Sequence, residues 1–328
     1  MATQAATAAQ TEGPSLADRR GTMLADQRGT MLVVDVGSTF TKAALVDLTV
    51  GRVSARGETP TTLDTDVMDG VRSLAIELGD SPAVDDGRIL ACSSAGGGLR
   101  LAVVGYERTV TAEAGYRVGL SAGAKVVHVA SGALGPDELA ALAHARPDIV
   151  LLVGGTDGGN AEVLQHNATA LGKCSLPRDV PIVVAGNVEA QPLVAAALTQ
   201  ARRPHVLADN VLPEIGVVTP ESARAAIREV FLRHVIGGKG LSRDPAFARV
   251  VRAATPDAVL AGVEVLSEVL DQDVLVVDVG GATTDVYSAV TPRGEDAGLR
   301  KEVVAPLRFS RSFSGGGHPS SIAEGVIE

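Results

Sequence analysis

The sequence predicts an α/β protein on three observations. Strand-like and helix-like patterns alternate from Met31 to about Leu307. The run M-L-V-V-D-V (Met31–Val36) is almost continuously apolar, as expected of a strand buried on both faces. Six residues of that region, L-V-V-D-V-G at Leu32–Gly37, recur unchanged at Leu275–Gly280. With 328 residues, 45% hydrophobic and 21% charged, the chain is long enough for two domains of ordinary size.

Composition removes several functions. A formal net charge of −10 argues against nucleic acid or an anionic membrane as partner, since phosphates are drawn to basic faces. Aromatic residues are 2% with no Trp, too few for base-stacking platforms. Two cysteines, Cys92 and Cys174, make neither a disulfide framework nor a Cys-rich zinc or iron–sulfur site. No apolar run approaches the roughly 20 residues of a membrane span, and the N-terminus lacks a signal-peptide core. A cytoplasmic address is the resulting expectation.

Residues 1–30 read as a disordered extension. They hold most of a short tandem copy, A-D-R-R-G-T-M-L (Ala17–Leu24) followed by A-D-Q-R-G-T-M-L (Ala25–Leu32), which is too short to build a repeat core. Residues 31–118 form the first subdomain. After the Met31 strand, Thr41–Leu48 and Arg52–Thr59 read as two strands joined near Val50 and Gly51. Val67, Val71, Leu74, Ala75 and Leu78 share one helical face, with Asp64 or Asp66 as cap and Gly79 as stop. Arg88–Ser93 is the next strand. Three strands, a helix and a strand open a ribonuclease H-like domain.

Residues 119–271 continue as a central α/β region. Strands are expected at Lys125–Val129, Asp148–Val153, Pro181–Ala185 and His205–Ala208. Helices are expected at Pro136–Ala145, Ala161–Leu171, Val188–Ala201 and Pro220–Ile236. The last has Thr219 as cap, Pro220 at the first helical position and Gly237-Gly238 as stop. Residues 272–308 begin a second ribonuclease H-like subdomain, and residues 309–328 form an irregular Ser/Gly-rich tail.

The repeat carries the chemistry. Each copy ends an apolar strand with Asp, places Gly two residues later, and follows with hydroxyls: S-T-F-T-K after Gly37, G-A-T-T-D after Gly280. A carboxylate on a buried strand is costly without a cationic partner. Gly at the turn lets backbone N–H groups approach an anion, and Lys42 adds a cation. Two such hairpins face to face would clamp a polyphosphate, with Asp35 and Asp278 positioning Mg²⁺. A Rossmann dinucleotide site is disfavoured because neither copy has G-x-G-x-x-G, and no P-loop motif occurs.

At these residues the chain resembles the actin/hexokinase/Hsp70 ATPase superfamily, D-V-G-S-T-F-T-K matching its first phosphate motif and D-V-G-G-A-T-T-D its second. Within it, the chain is similar to the GlmL/MutL family encoded beside adenosylcobalamin-dependent glutamate mutase, unrelated to mismatch-repair MutL. The likeness runs through Ala91–Tyr106, Leu151–Asn160, Val183–Asn187 and Ala208–Gly216. It implies an ATP-using accessory or reactivating factor for such a mutase, with ATP and Mg²⁺ as cofactors. By motif, Asp35 and Asp278 would organise the metal and the attacking water. Gly37, Ser38, Thr39, Thr41 and Lys42 would hold phosphate on one side, and Gly280, Gly281, Thr283 and Thr284 on the other.

A small-molecule kinase on the same scaffold and a non-catalytic binding module stay open, as does a homo-oligomer. The activator of 2-hydroxyacyl-CoA dehydratases has a similar D-V-G-S-T motif, but Cys92 and Cys174 do not match its cluster-holding pattern. Only 48 residues follow Gly280. The superfamily needs more there, so the second subdomain is expected to be incomplete, with no helix over its apolar strands and weak ATP turnover; the alternative is that the central segment Gly119–Asp271 supplies the cover. Elsewhere, Gly154–Asn160 and Ser93–Gly98 read equally as ligand rims or plain loops. His128 reads as a satisfied core histidine, Cys92 as a small core residue, and Arg202, Arg203 and Lys239 as solvated charges.

Overall fold

A computed structural model describes residues 29–79, 87–95, 98–235, 240–280, 283–291 and 302–310. The first sheet takes β1 (Thr30–Val36), β2 (Phe40–Asp47), β3 (Arg52–Pro60), β4 (Ile89–Ser93) and β10 (Val251–Ala254), in the order β10-β4-β1-β2-β3. β1, β2 and β3 are successively antiparallel, while β4 and β10 run parallel to β1. This is the ribonuclease H-like layout. Helix α1 (Val67–Glu77) starts at Asp66, whose carboxylate accepts from the Met68 N–H, and buries Val67, Val71, Leu74 and Ala75 in one core with Leu32, Val34 and Val36.

Between β4 and β10 the chain builds a second sheet, entirely parallel. Its strands are β5 (Leu99–Gly105), β6 (Ala124–Ser131), β7 (Ile149–Leu152), β8 (Ile182–Val184) and β9 (His205–Leu207), ordered β6-β5-β7-β8-β9. Helices α3 (Pro136–His144), α4 (Glu162–Lys173) and α5 (Gln191–Gln200) share a core on one face through Leu142, Leu164, Leu171, Val194 and Leu198. Helices α2 (Thr111–Ser121) and α6 (Glu221–Val230) contribute Val118, Ile227 and Val230 to the core of the first sheet, so the two sheets share one interior.

Several expectations change here. β5 (Leu99–Gly105), within the span 31–118 assigned by sequence to the first subdomain, pairs in the parallel sheet, and β10, within the central span 119–271, pairs with β4 in the first sheet. Thr219 does not cap α6. Its hydroxyl donates to the Asn210 carbonyl at 2.6 Å, and Pro220 occupies the cap position without a side-chain bond. The expected stop at Gly237-Gly238 lies outside the described residues, as does Lys239. Arg203 is 3% exposed rather than solvated, its guanidinium donating to the carbonyls of Pro177 and Cys174. His128 on β6 is partly buried, its Nε2 has no partner among the described residues, and burial lowers its pKa.

Helix α7 (Pro245–Val250) leads into β10, and α8 (Thr255–Leu270) follows it directly. The third sheet is β11 (Val274–Val279), β12 (Thr283–Val290) and β13 (Glu302–Ser310), all antiparallel. Its expected lack of a covering helix is half corrected. α8, drawn from the central region, packs Leu260 and Val263 against Tyr287 and Ala289. The opposite face keeps Leu275, Val277 and Val279 at 67%, 55% and 60% exposure.

Candidate functional site

The first hairpin sets Asp35 in a row across the sheet. In register it lies beside Cys92 on β4 and opposite Lys42 on β2, and Lys42 lies opposite Glu58 on β3. Asp35 Oδ1 accepts from the Thr255 hydroxyl at 2.7 Å and from the Cys92 thiol at 3.5 Å. Burial, reinforced by the Asp35 charge, pushes the Cys92 thiol up to about 12. This row floors a groove of about 740 Å³ whose walls include Val33, Ala44, Leu90 and Ala258, with Arg56 and Arg252 also at its lining.

The second hairpin repeats the register. Asp278 faces Asp285 and Val279 faces Thr284, as Asp35 faces Lys42 and Val36 faces Thr41. The 16 residues of α8 carry the chain about 24 Å away from Asp35, and β11 returns along the helix. The Asp278 carboxyl is held above the usual carboxylate range, first by burial, then by the charges of Asp285 and Asp35, with Lys42 partly offsetting them. Asp35, Lys42, Asp278 and Asp285 therefore share one electrostatic neighbourhood.

The other sequence-predicted residues divide. Ser38 and Thr39 are exposed at the tip of the first turn. Gly37 is required by the turn itself: its N–H donates to the Phe40 carbonyl at 3.1 Å, and a Cβ would sit 2.6 Å from that oxygen. That N–H is thus committed to the protein rather than to a ligand. Thr41 is fully buried on the face away from Asp35 and shares a 3.1 Å hydrogen bond with Thr61. Gly280 follows β11 directly, and Thr284 lies on the face opposite Asp278. Gly281 lies outside the described residues, and Thr283 is placed only as the first residue of β12.

Sequence reasoning missed Thr61 and Thr255. The Thr61 hydroxyl donates to the Gly37 carbonyl at 2.8 Å and its N–H to Thr39 at 2.9 Å, bracing the turn from a strand away. The Gly154–Asn160 loop is likewise spoken for by the protein. A Cβ on Gly186 would meet the Gly154 carbonyl oxygen at 2.7 Å, Asn187 donates to Gly159, and Asn210 donates to Gly155 and Asp157.

The donor set has a definite chemistry. The carboxyl groups of Asp35, Asp278 and Asp285 stand near the Lys42 ammonium, and Glu58, Arg56 and Arg252 also line the groove at Asp35. Among the described residues no three His, Cys, Asp or Glu side chains gather closely enough to hold a metal ion alone. Such a set suits Mg²⁺, which keeps several waters and takes one or two carboxylates together with phosphate oxygens.

A first sheet of ribonuclease H-like layout, an inserted parallel sheet, and a second Asp-x-Gly hairpin joined to them through α8 make an α/β protein. The family model described as MutL protein matches residues 31–317. The chain belongs to that family. It is 37% identical over 289 residues to Protein MutL of Clostridium tetanomorphum, an alignment covering 83% of this chain and 62% of that relative's length. Among solved structures, it is similar to nucleotide-free acetone carboxylase, from a study of ATP-dependent acetone carboxylation, at 15% identity, with 86% of this chain and 48% of that one covered and a TM-score of 0.38. A reductive activator for a corrinoid, iron–sulfur protein matches at 12% identity, covering 80% and 29%, with a TM-score of 0.18. Among the described residues no helix is long and apolar enough to cross a membrane.

Proposed function

We propose that this chain binds Mg-ATP between its two Asp-x-Gly hairpins and acts as an accessory, reactivating factor for an adenosylcobalamin-dependent mutase such as glutamate mutase. The observation that supports the nucleotide reading is the shared field of Asp35, Lys42, Asp278 and Asp285. The partner reading is supported by membership of the MutL family.

In this reading, Asp35 and Asp278 would hold Mg²⁺ through its waters, and either carboxylate could orient a water toward the terminal phosphate. Lys42 and the exposed turn at Ser38 and Thr39 orient phosphate oxygens, with Gly280, Gly281 and Thr283 in the same role opposite, while Thr284 lies on the far face of its strand as Thr41 does. Mg²⁺ would supply charge neutralisation at the phosphates. Thr41 supports its turn from behind rather than touching phosphate. Hydrolysis changes the separation of the hairpins, and with it the grip on the partner.

Calorimetric titration of Mg-ATP into the wild type and Asp35→Ala tests the site. Binding by the wild type and its loss in the variant is the expected result; equal binding by both removes it. The groove beside Asp35 favours one second reading, a small-molecule kinase, because it leaves room for an acceptor. Phosphate release without acceptor, stimulated by a mutase, supports the accessory role. Acceptor-dependent turnover supports the kinase.

A further inference from the structure

Thr255 opens α8, where a threonine commonly turns its hydroxyl onto its own helix. Here it does not. The cap position is Ala254, with no side-chain cap bond, and the Thr255 hydroxyl instead donates at 2.7 Å to Asp35, 220 residues away in sequence. The helix end that carries it is fixed from the other side. Asp257 is 2% exposed and accepts from Arg228 Nε at 2.5 Å and Nη2 at 2.6 Å. Gly123 backs the same turn so closely that a Cβ there would meet the Asp257 nitrogen at 2.5 Å. Little freedom is left for the Thr255 hydroxyl to move.

Both donors to Asp35, Thr255 and Cys92, bond to Oδ1. No described residue is bonded to Oδ2. The Cys92 thiol, at 3.5 Å, is the weaker of the two, so Thr255 does most to set the orientation of the carboxylate.

We propose that Thr255 is a positioning residue for the Asp35 site: its hydroxyl occupies Oδ1 and pins the carboxylate so that Oδ2 is the oxygen offered to a divalent cation. The inference rests on the Mg-nucleotide reading above and adds a residue that lies in neither hairpin. Thr255 does not touch the metal or the nucleotide. It acts through Asp35.

The test uses Mn²⁺ as probe, in the presence of ATP, with free Mn²⁺ read by electron paramagnetic resonance on the full chain. Wild type, Thr255→Val and Thr255→Ser are compared, with Thr255→Ala as a second deletion should the valine fail to fold. Loss of a hydrogen bond to a charged group predicts roughly tenfold weaker Mn²⁺ binding in Thr255→Val or Thr255→Ala. Serine restores binding to within about twofold, because it keeps the donor. Thermal melting checks that each variant is folded, and the serine rescue separates the hydroxyl from a purely steric role. If the folded valine and alanine variants bind Mn²⁺ like the wild type, or serine binds as weakly as valine, the positioning role is overturned. If the wild type itself binds no Mn²⁺ with ATP, the nucleotide reading fails, and the positioning role fails with it.

Discussion

Asp278 and Asp285 face each other across β11 and β12 in the register that pairs Asp35 with Lys42 across β1 and β2. The two hairpins are alike in backbone and opposite in the charge of one position. One sets a cation beside its carboxylate; the other sets a second acid, 5% exposed, beside it. Burial, then the charges of Asp285 and Asp35, hold the Asp278 carboxyl above its ordinary range, and that is the electrostatic tension of the second hairpin.

That tension predicts a trade between stability and binding. An acid whose native pKa is raised holds its proton more tightly in the folded state. Its contribution is most favourable below the unfolded value of about 3.9 and declines as pH rises through the native value. Asp278→Asn removes the penalty. At pH 7 without ligand it should melt about 2 °C higher than the wild type and lose part of the pH dependence, while Mg-ATP binding falls. Differential scanning calorimetry across pH 4–8 reads this; a lower melting temperature for the variant contradicts it.

Cys92 gives a second pH-dependent outcome. With its thiol near 12, roughly one molecule in ten thousand carries the thiolate at pH 8. In a Cys174→Ser background, a disulfide reagent should label native Cys92 very slowly. Asp35→Asn leaves the burial but removes the charge that helps raise the thiol, and should speed labelling. The same shift makes stability decline as pH climbs from about 8.5 toward the native value, and an alkaline melting series measures it.

The Arg228–Asp257 pair fixes α8 to α6, and breaking one side leaves a buried charge. Arg228→Met should cost about 3–5 kcal/mol in urea unfolding. The double variant Arg228→Met, Asp257→Leu should recover most of that loss, since two matched apolar groups replace two matched ions. Equal stability of Arg228→Met and wild type would show that water reaches Asp257 freely.

Much of this arrangement is legible in the sequence because it is written in short segments. The apolar run with Asp and Gly at its end announces each hairpin, and the stripe Ala223, Ala226, Ile227, Val230 and Phe231 announces α6, whose own buried residues are the first four. What escapes is long-range. The partner of Asp35 lies on α8, and no local pattern joins Thr255 to it. Arg203 looks solvated in a run of charges, yet two carbonyls from the α4–β8 connection take its guanidinium into the interior. Thr219 has the composition of a cap, but the nearby Asn210 carbonyl competes for its hydroxyl and wins. Gly37 in the sequence suggests an N–H open to an anion, but its turn already uses that N–H.

The first sheet cannot be completed in the order in which it is synthesised. Ser93 leaves the ribosome with β4 as an open edge, and the strand that closes it, Val251–Ala254, comes only after the entire parallel sheet has been made. Nascent chains shorter than residue 254 thus carry an unpaired strand able to recruit a wrong neighbour, and so do proteolytic fragments. Such distant pairing makes the final assembly step slow, and it ties the maturation of the Asp35 strand's sheet to prior folding of the inserted one.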